Sequence, residues 1–422
     1  MSILLGCIAD DFTGATDIAS FLVASGMRTL QLTETPSKHK NLDDIDAVVI
    51  ALKSRTQEKS EAIKDSIIAL NWLLKHDCEQ FYFKYCSTFD STSLGNIGPV
   101  TDALLDCLDE KFTIFCPSLP VNGRTVYKGH LFVNGSLLNE SGMENHPLTP
   151  MKDSNIVRVL KSQTKKSVAL VEINEILKGV EELRDILKKI EKNAEYAVID
   201  TITNENLFTI GQACADLKLL TGGSGLAMSL ADNFEAKGLF TKNKDSAAIE
   251  YVDGHTVVLS GSCSPTTQEQ VAVFQKKYLS LKLDPIALFN GDQTIDEILT
   301  WYERKCHESP LLIYATDTPE LIKQSQNELG IEKSGEIIEL TIAVIVTRLR
   351  KIGVKKFVVA GGETSGAVVK ALSLKSLKVG PTIAPGVPIM QSLEDDPCLV
   401  ALKSGNFGDK DFFEKSIYLM NN

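Results

Sequence analysis

The fold class is decided by the stretch Phe357-Val-Val-Ala-Gly-Gly-Glu-Thr-Ser-Gly-Ala-Val-Val-Lys-Ala-Leu372. Its apolar beginning predicts a buried strand, and its glycine pair predicts a tight turn with close backbone approach. Thr364 or Ser365 is expected to cap the helix that follows. Such a turn presents free N–H groups at a helix start, so the stretch suits phosphate. The alternative is an ordinary strand-to-helix turn that holds no ligand.

Apolar runs that predict strands alternate with longer runs that predict helices along the chain. The predicted strands are 3–9, 47–52, 80–85, 112–115, 167–171, 196–200, 255–260, 311–314, 357–360 and 398–402. The predicted helices are 13–25, 58–76, 99–108, 173–192, 204–217, 265–277, 295–306 and 335–352. This alternation predicts an α/β protein of two domains, each a mostly parallel sheet flanked by helices.

Two stretches interrupt the alternation. Residues 116–150 are rich in Pro, Asn and Gly and predict a long functional loop. Residues 236–254 are polar and lack an apolar period, so we expect a linker there. The predicted domains are therefore residues 1–235 and 255–422.

Composition limits the classes of function. The chain has 422 residues and a net charge of −11, which argues against a nucleic-acid partner because phosphate binding needs clustered Lys and Arg. The nine cysteines form no Cys-x-x-Cys pair and the six histidines form no zinc-binding spacing, so we expect reduced cysteines and no structural zinc. No run is long enough to span a membrane. Only six residues precede Cys7, so we expect no signal peptide and a cytoplasmic protein.

Asp10 and Asp11 follow the first predicted strand, at the sheet edge where open α/β proteins bind ligands. We expect these carboxylates to accept hydrogen bonds from a sugar hydroxyl, and one of them to act as a base. The sequence does not choose between the two. Thr13 is a further candidate contact in the same turn. The alternative is that Asp11 or Thr13 only caps the next helix, since both residue types are strong caps.

A hydroxyl-rich loop follows the strand that ends near Lys84, and it offers Ser87, Asp90 and Asn96 as candidate substrate contacts. A lysine near the end of a buried strand is costly unless it meets an anion, and a substrate carboxylate would supply one. Arg55 follows the preceding strand and has the fork that carboxylates prefer. The alternative is a solvated loop in which Lys84 reaches water.

Three polar, glycine-containing loops follow strands of the second domain, at Ser260, at Gly361-Gly362-Glu363-Thr364 and at Gly405. Three such loops at one sheet edge make a better phosphate cradle than one, which favours a nucleotide site. Glu363 is a candidate for holding Mg²⁺ through water, because Mg²⁺ sites often use one or two carboxylates. The alternative for Glu363 is an acid that complements the helix dipole.

Several common motifs are missing from the sequence. No glycine is followed by lysine, which excludes the P-loop. No Gly-x-Gly-x-x-Gly opens a helix after the first strand, which argues against a dehydrogenase. The stretch Thr221-Gly222-Gly223-Ser224-Gly225-Leu226 lacks the last glycine of a nucleophile elbow, and it predicts a turn and a helix start.

Four separated motifs resemble signatures of the four-carbon acid sugar kinase family. They are Ile8-Ala9-Asp10-Asp11-Phe12-Thr13-Gly14-Ala15, Ala360-Gly361-Gly362-Glu363-Thr364-Ser365-Gly366, Ile383-Ala384-Pro385-Gly386-Val387-Pro388 and Leu402-Lys403-Ser404-Gly405-Asn406-Phe407-Gly408. Residues 83–92, 146–150 and 153–155 resemble the branch of the family that acts on 3-oxo-tetronate. Sister branches act on threonate or erythronate.

The resemblance implies an N-terminal acid-sugar-binding domain, a C-terminal ATP-binding domain and an active site in the cleft between them. It implies transfer of a phosphoryl group from ATP to the C4 hydroxyl of the acid sugar, and phosphoryl transfer in general adds Mg²⁺. The family's ATP contacts map onto Ser260, Gly361–Thr364 and Gly405. Many members carry a basic residue where this chain has Leu94, so the expected carboxylate contact shifts to Arg55 and Lys84.

A rival hypothesis from another class is a non-catalytic sugar-acid binding protein with two α/β lobes. The predicted lack of a signal peptide and the nucleotide-type loops of the second domain argue against it. The expected partners are an acid sugar and ATP, without nucleic acid or membrane, and the sequence leaves a homo-oligomer open.

Overall fold

The computed structural model describes residues 3–37, 42–146, 148–307 and 309–422. The chain divides into two compact units, Met1–Ala247 and Ala248–Asn422, which we call unit 1 and unit 2. The predicted linker 236–254 contains this division, and its exact limits stay a prediction. Pro147, which belongs to one of the segments quoted above, lies outside the described residues.

Unit 1 is built from strands that alternate with helices. Its strands are β1 (Leu5–Ala9), β2 (Thr29–Leu32), β3 (Ala47–Ala51), β4 (Gln80–Lys84), β5 (Thr113–Cys116), β6 (Arg124–Tyr127), β7 (His130–Val133), β8 (Ser136–Leu137), β9 (Val168–Val171), β10 (Tyr196–Ile199) and β11 (Leu219–Gly222). Its helices are α1 (Phe12–Ala24), α2 (Lys59–Leu74), α3 (Ile97–Leu108), α4 (Ile156–Gln163), α5 (Ile173–Ile176), α6 (Val180–Ile190), α7 (Asn204–Ala213) and α8 (Ala227–Ala236).

The main sheet of unit 1 is parallel and has the order β2-β3-β1-β4-β11-β5-β10-β9. From β1 the chain first builds strands on one side, β2 and β3, and then crosses to β4 on the other. The carboxyl ends of β1 and β4 therefore form the point where the strand order reverses, which is where open α/β sheets bind ligands. The register pairs Ala9 with Lys84, so the residues after β1 lie beside the end of β4.

Two predictions for unit 1 are wrong in detail. Residues 116–150 were expected to be a loop, but they include an antiparallel three-stranded sheet with the order β6-β7-β8. Tight turns with glycines in the left-handed region, such as Gly129 at φ 71°, make these short strands compatible with a Gly-rich sequence. The single helix expected over 173–192 is divided into α5 and α6 by Gly179, whose φ is 98°.

Unit 2 repeats the strand–helix alternation and adds an antiparallel edge. Its strands are β12 (His255–Ser260), β13 (Ser280–Lys282), β14 (Leu311–Tyr314), β15 (Val354–Ala360), β16 (Ser376–Ala384), β17 (Val387–Ser392) and β18 (Leu399–Lys403). Its helices are α9 (Pro265–Phe274), α10 (Pro285–Asn290), α11 (Ile295–Lys305), α12 (Pro319–Leu329), α13 (Ile331–Lys351), α14 (Gly362–Ala371) and α15 (Phe412–Asn421).

The strands of unit 2 have the order β13-β14-β12-β15-β18-β17-β16. The pairs from β13 to β18 are parallel, and β17 is antiparallel to both β16 and β18. From β12 the chain builds β13 and β14 on one side and then crosses to β15 on the other. The reversal point of unit 2 therefore lies between Ser260 and Ala360, which the register pairs directly.

The helix after the glycine pair begins earlier than the sequence predicts. Neither Thr364 nor Ser365 caps α14, because the N-cap residue is Gly361, at φ 126°. This left-handed backbone lets the chain turn straight from β15 into the helix, which an L side chain would resist. Thr364 and Ser365 are instead buried within α14.

Apolar side chains of the predicted strands form the core of each unit. In unit 1 they include Val48 and Phe81, and in unit 2 they include Val258 and Val358. Near-continuous apolar strands of this kind suit parallel sheets covered on both faces. Among the described residues no helix has both the length and the apolar character that a bilayer crossing requires.

Candidate functional site

The sugar-side candidates meet at the reversal point of unit 1. Asp10 is 3% exposed and follows β1 directly. Its carboxylate accepts two hydrogen bonds from Arg55, from Nε at 2.9 Å and from Nη2 at 2.8 Å. This bidentate pairing is the geometry that the guanidinium fork favours. The sequence analysis expected Arg55 to meet a substrate carboxylate, whereas the structure pairs it with a carboxylate of the protein.

Arg55 serves several carboxylates of the protein at once. Its Nη2 also lies 2.7 Å from Oδ1 of Asp11, and its Nη1 lies 3.6 Å from Oδ2 of Asp90. The neighbouring carboxylates raise the pKa of Arg55 despite its burial. Because the guanidinium already pairs with carboxylates of the protein, Arg55 is a weaker candidate for binding the substrate carboxylate than the sequence suggested.

Asp11 caps the helix that follows it and keeps part of its side chain exposed. It is the N-cap of α1 and accepts a hydrogen bond from the Gly14 backbone N–H at 2.9 Å. Thr13 Oγ1 donates to the second carboxylate oxygen at 2.7 Å, so Thr13 supports Asp11. The Asp11 side chain is still 26% exposed, whereas that of Asp10 is 5% exposed. Capping therefore does not remove Asp11 from contact with a ligand.

The pKa values of the two carboxyl groups are moved in opposite directions. Burial raises the pKa of Asp10, although Arg55 opposes the shift. Burial acts in the same sense on Asp11, but Arg55, Lys84 and the hydrogen bonds from Thr13 and Gly14 outweigh it and lower the pKa. Asp11 is therefore the firmly ionised acceptor of the pair.

Lys84 is the last residue of β4 and is 2% exposed. Its ammonium donates to the Tyr85 carbonyl at 2.8 Å. Within the part of the chain that the structure describes, it has no carboxylate within 4 Å. It lies close to the start of α1, since a side-chain carbon on Gly14 would be 3.1 Å from Nζ. A buried ammonium with only a neutral partner is a good receptor for an anion.

The loop after β4 supports this arrangement from the side. Asp90 accepts a hydrogen bond from Thr88 at 2.5 Å, and Ser87 is half-buried in the same turn. Asn96 is buried and donates to the carbonyls of Ser54 and Gln57 at 2.8 and 2.9 Å. Asn96 therefore holds the loop that carries Arg55. The sequence suggested a substrate contact for Asn96 and did not reveal this positioning role.

The structure adds Asp17 to the candidates of unit 1, a residue that the sequence reasoning missed. Asp17 lies in α1 and is 6% exposed, and it accepts a hydrogen bond from Ser224 at 2.5 Å. Its other oxygen has no partner among the described residues. Burial raises the pKa of Asp17. The available signal was a carboxylate among the apolar residues Ala15, Ile18 and Leu22 of a buried helix, where an acid is rare unless it is paired.

The nucleotide-side candidates meet at the reversal point of unit 2. Ser260 is fully buried, and its hydroxyl lies 2.6 Å from that of Thr316. Thr316 donates to the Ser262 carbonyl at 2.8 Å, so Ser260 is the donor of the first bond. This chain of hydroxyls joins the end of β12 to the segment after β14. Thr316 was not among the sequence candidates.

The glycines of this site stand where any side chain would collide with a neighbouring loop. A Cβ on Gly361 would lie 2.9 Å from Thr364 Oγ1 and 3.1 Å from the Ser262 nitrogen. A Cβ on Gly405 would lie 2.5 Å from Ser262 Oγ. The loops after β12, β15 and β18 therefore pack closely against one another, and the N–H groups of Gly261, Ser262 and Gly361 donate to carbonyls of Ala360 and Lys403. The start of α14 is where free N–H groups can meet an anion.

Gly362 and Glu363 form the exposed beginning of α14. A Cβ added to Gly362 would meet no atom within 4 Å, so open space lies in front of this helix start. Thr364 is buried beneath it, with Oγ1 close to Gly361. The helix has ten residues, and its free N–H groups and dipole favour an anion there.

Lys403, a buried lysine at the end of β18, was also missed by the sequence reasoning. Its ammonium donates to Thr267 Oγ1 at 3.0 Å, to the Gly405 carbonyl at 2.9 Å and to the Ser404 carbonyl at 3.2 Å. Burial lowers the pKa of Lys403 to about 7. Lys403 therefore holds the Gly405 loop through these hydrogen bonds. Its position at the end of β18 corresponds to that of Lys84 at the end of β4.

The titration of Lys403 gives a pH prediction. Above about pH 7 the ammonium becomes an amine and loses one donor, so we expect the KM for ATP to rise roughly tenfold between pH 6 and 8.5, as for a lost charge-assisted hydrogen bond. The free energy of unfolding should also rise with pH, because between about pH 7 and the ordinary lysine pKa the unfolded chain binds a proton that the folded chain does not. Lys403→Met is the control for titration of ATP itself, and identical KM–pH curves for variant and wild type would contradict the prediction.

Comparison with known proteins gives these two sites a context. The model of a sugar-binding N-terminal domain matches residues 5–230, and that of a nucleotide-binding C-terminal domain matches residues 257–413. The 3-oxo-tetronate kinase of Burkholderia multivorans is 50% identical over 415 residues, which cover 98% of this chain and 96% of that protein. The chain belongs to the four-carbon acid sugar kinase family.

Other members of the family are equally well covered. The 3-oxo-tetronate kinase of Haemophilus influenzae is 45% identical over 413 residues, 97% of this chain and 98% of that protein. A crystal structure of a Haemophilus influenzae protein has a TM-score of 0.82 at 44% identity and covers 98% of this chain and 100% of that one. A Salmonella typhimurium structure, solved under the name of a tRNA synthase, has a TM-score of 0.89 at 41% identity and covers 98% of both chains.

Proposed function

We propose that this chain is an ATP-dependent kinase that phosphorylates the C4 hydroxyl of 3-oxo-tetronate to give 3-oxo-tetronate 4-phosphate. The observation that carries the proposal is the 50% identity, across both units, to a protein named 3-oxo-tetronate kinase. In this proposal residues 1–235 bind the acid sugar, residues 255–422 bind ATP, and the reaction takes place in the cytoplasm.

Unit 1 offers complementary groups for a four-carbon acid sugar. We assign the substrate carboxylate to Lys84, whose buried charge has no carboxylate of the described protein within 4 Å. We assign the C4 hydroxyl to Asp11, the more exposed and more firmly ionised of the two acids. Asp10 then acts as a positioning residue, because it holds Arg55 in a bidentate pair beside Asp11.

Unit 2 offers groups for ATP. The exposed start of α14 at Gly362 and Glu363 would receive phosphate oxygens on its free N–H groups. The hydroxyl of Ser260 and the loop at Gly405, held by Lys403, would complete the cradle. The closely packed glycines Gly361 and Gly405 leave no room for side chains in the loops that form it.

The donors of unit 2 also fit Mg²⁺. Glu363 and the hydroxyls around Ser260 are oxygen donors, as this hard cation prefers, and Glu363 is exposed beside the helix start. We propose that Glu363 holds the ion through water while phosphate oxygens supply the other ligands. When bound, Mg²⁺ would neutralise charge on the phosphates.

The chemistry follows from these positions. The C4 oxygen forms a bond to the γ-phosphorus of ATP as the bond from that phosphorus to the β,γ-bridging oxygen breaks, and ADP leaves. The hydroxyl proton passes to Asp11 and then to water. In phosphoryl transfer the protein contributes mainly positioning and charge stabilisation, and we assign these tasks to Lys84 and Asp11 in unit 1 and to the α14 start in unit 2.

A coupled ATP-consumption assay tests the proposal. Purified protein with Mg²⁺ and ATP should turn over 3-oxo-tetronate well above threonate and erythronate. Faster turnover of threonate or erythronate would move the chain to a sister activity of the family. ATP consumption that is independent of every acid would contradict the kinase proposal and favour the sugar-acid binding protein. A tRNA-directed activity has no support in a net charge of −11.

Lys84→Met is expected to raise the KM for 3-oxo-tetronate by about tenfold to a hundredfold, because a buried charge-assisted contact to the substrate carboxylate is lost. The KM for ATP should not change. Lys403→Met is a matched control, since it removes a lysine from the same place in the other sheet and should raise the KM for ATP alone. An unchanged acid-sugar KM in Lys84→Met would remove Lys84 from the substrate site.

A further inference from the structure

A cluster of metal-binding side chains lies away from both candidate sites. His255 is the first residue of β12, and Cys306 and His307 directly follow α11. The register of the sheet explains why they meet. Leu311 at the start of β14 pairs with Val257, so the start of β14, which His307 precedes by four residues, lies beside the start of β12.

The three side chains are close enough to share one ion. One ligand atom from each, two imidazole nitrogens and the Cys306 sulfur, lies within 4.8 Å of the others. The two imidazole rings are 4.9 Å apart and nearly perpendicular. Bonds of about 2.0 to 2.3 Å in a tetrahedral site put ligand atoms roughly 3.5 Å apart. Small side-chain rotations at this partly exposed place would close the difference.

The rings of His255 and His307 have no competing partner among the described residues. Across residues 3–37, 42–146, 148–307 and 309–422 the structure records no hydrogen bond or ion pair from either ring, apart from their mutual contact. Cys306 has one weak contact, from its sulfur to the Glu303 carbonyl at 3.7 Å. Imidazole nitrogens and a thiol in this state are available as ligands.

We propose that His255, Cys306 and His307 form a binding site for a divalent transition metal of the Zn²⁺ class. Two imidazoles and a thiolate suit Zn²⁺ and Co²⁺ and disfavour Mg²⁺ and Ca²⁺, which prefer oxygen. Three protein ligands leave one position for water, so the ion would exchange more readily than in a four-ligand structural site. The Cys306 thiol would release its proton to water on binding.

The site is separate from the proposed kinase chemistry. His255 and Ser260 stand at opposite ends of β12, five residue steps apart, which is about 17 Å along a strand. The ion would join the end of α11 to the start of β12. Because it binds only the folded unit, it should raise the unfolding temperature rather than supply a catalytic group.

Titration of the full-length protein with Co²⁺ tests the proposal, after treatment with a chelator and with a reductant present and ATP absent. We expect one equivalent to bind with the near-ultraviolet absorption of a thiolate–Co²⁺ bond, and Zn²⁺ to bleach it. Cys306→Ser should abolish this absorption. His255→Ala and His307→Ala should weaken binding by more than about tenfold, the loss already seen when partners outside the ligand set are removed.

Cys107→Ser is the matched control, because Cys107 is an exposed thiol of unit 1 and should leave the titration unchanged. A second measurement covers variants that fold poorly: Zn²⁺ should raise the unfolding temperature of the wild-type protein and not that of His255→Ala. Weak binding without thiolate absorption, or equal titrations for wild type and Cys306→Ser, would overturn the proposal.

Discussion

Asp11→Asn should lower kcat for acid-sugar phosphorylation by about 10²- to 10⁴-fold, the usual contribution of a positioned base. The variant isolates chemistry from folding. Asparagine is as good an N-cap as aspartate, so the start of α1 should stay intact. The KM for ATP should change little, because no ATP contact in unit 2 is altered. Steady-state kinetics with both substrates, together with thermal unfolding, measures these effects.

Asp10→Asn provides the contrast. Removing the charge that Arg55 grips leaves a buried guanidinium less well paired, and breaking a buried pair typically costs about 3 to 5 kcal/mol. We therefore expect Asp10→Asn to lose thermal stability as well as activity, whereas Asp11→Asn loses activity alone. Near wild-type kcat in Asp11→Asn would mean that Asp11 is only a helix cap.

Gly362→Glu should raise the KM for ATP by at least about tenfold. A second carboxylate beside Glu363 would stand in the open space before α14, and like charges a few ångström apart cost roughly 1 to 4 kcal/mol near a protein surface. The fold should not suffer, because an acid in the first turn complements the helix dipole and glycine is a poor helix former. The KM for the acid sugar should stay unchanged.

Gly366→Ala is the matched control for this variant. It lies four residues further along α14, and a Cβ there would also meet no atom within 4 Å. It should bind ATP normally and be slightly more stable than wild type, since alanine favours helix over glycine. If Gly362→Glu and Gly366→Ala have the same KM for ATP, the start of α14 does not receive phosphate.

Much of the fold follows from local hydrophobic patterns in the sequence. Continuous apolar runs such as 357–360 and 47–52 gave buried strands, because both faces of a parallel sheet are covered. Strand order does not follow from such patterns. Nothing local states that β1 lies between β3 and β4, yet this order places Asp10 and Lys84 together. The sequence analysis also did not predict the sheet within 116–150 or the strands β2, β11, β13, β16 and β17. β2 and β13 have only four and three residues, which is too few to show a clear apolar period.

The candidate sites show the same division. The sequence predicted that Asp10 and Gly361 follow strands, and the structure places them there, at the sheet edge where α/β proteins bind ligands. The hydrogen-bond partner of each side chain could not be predicted, because it depends on contacts between segments that are distant in sequence. Arg55 was expected to reach a substrate carboxylate, but in the structure it serves Asp10, and Lys403 was overlooked although its position repeats that of Lys84.

The position of the phosphate in the product tests phosphoryl transfer to the C4 hydroxyl most directly. Wild-type protein should be incubated with Mg²⁺, ATP and 3-oxo-tetronate, and the product examined by ³¹P–¹H correlation NMR. We expect one phosphate ester that couples to the two C4 protons, together with one ADP per ester. Inorganic phosphate with unchanged 3-oxo-tetronate, or an ester at another carbon, would contradict the account.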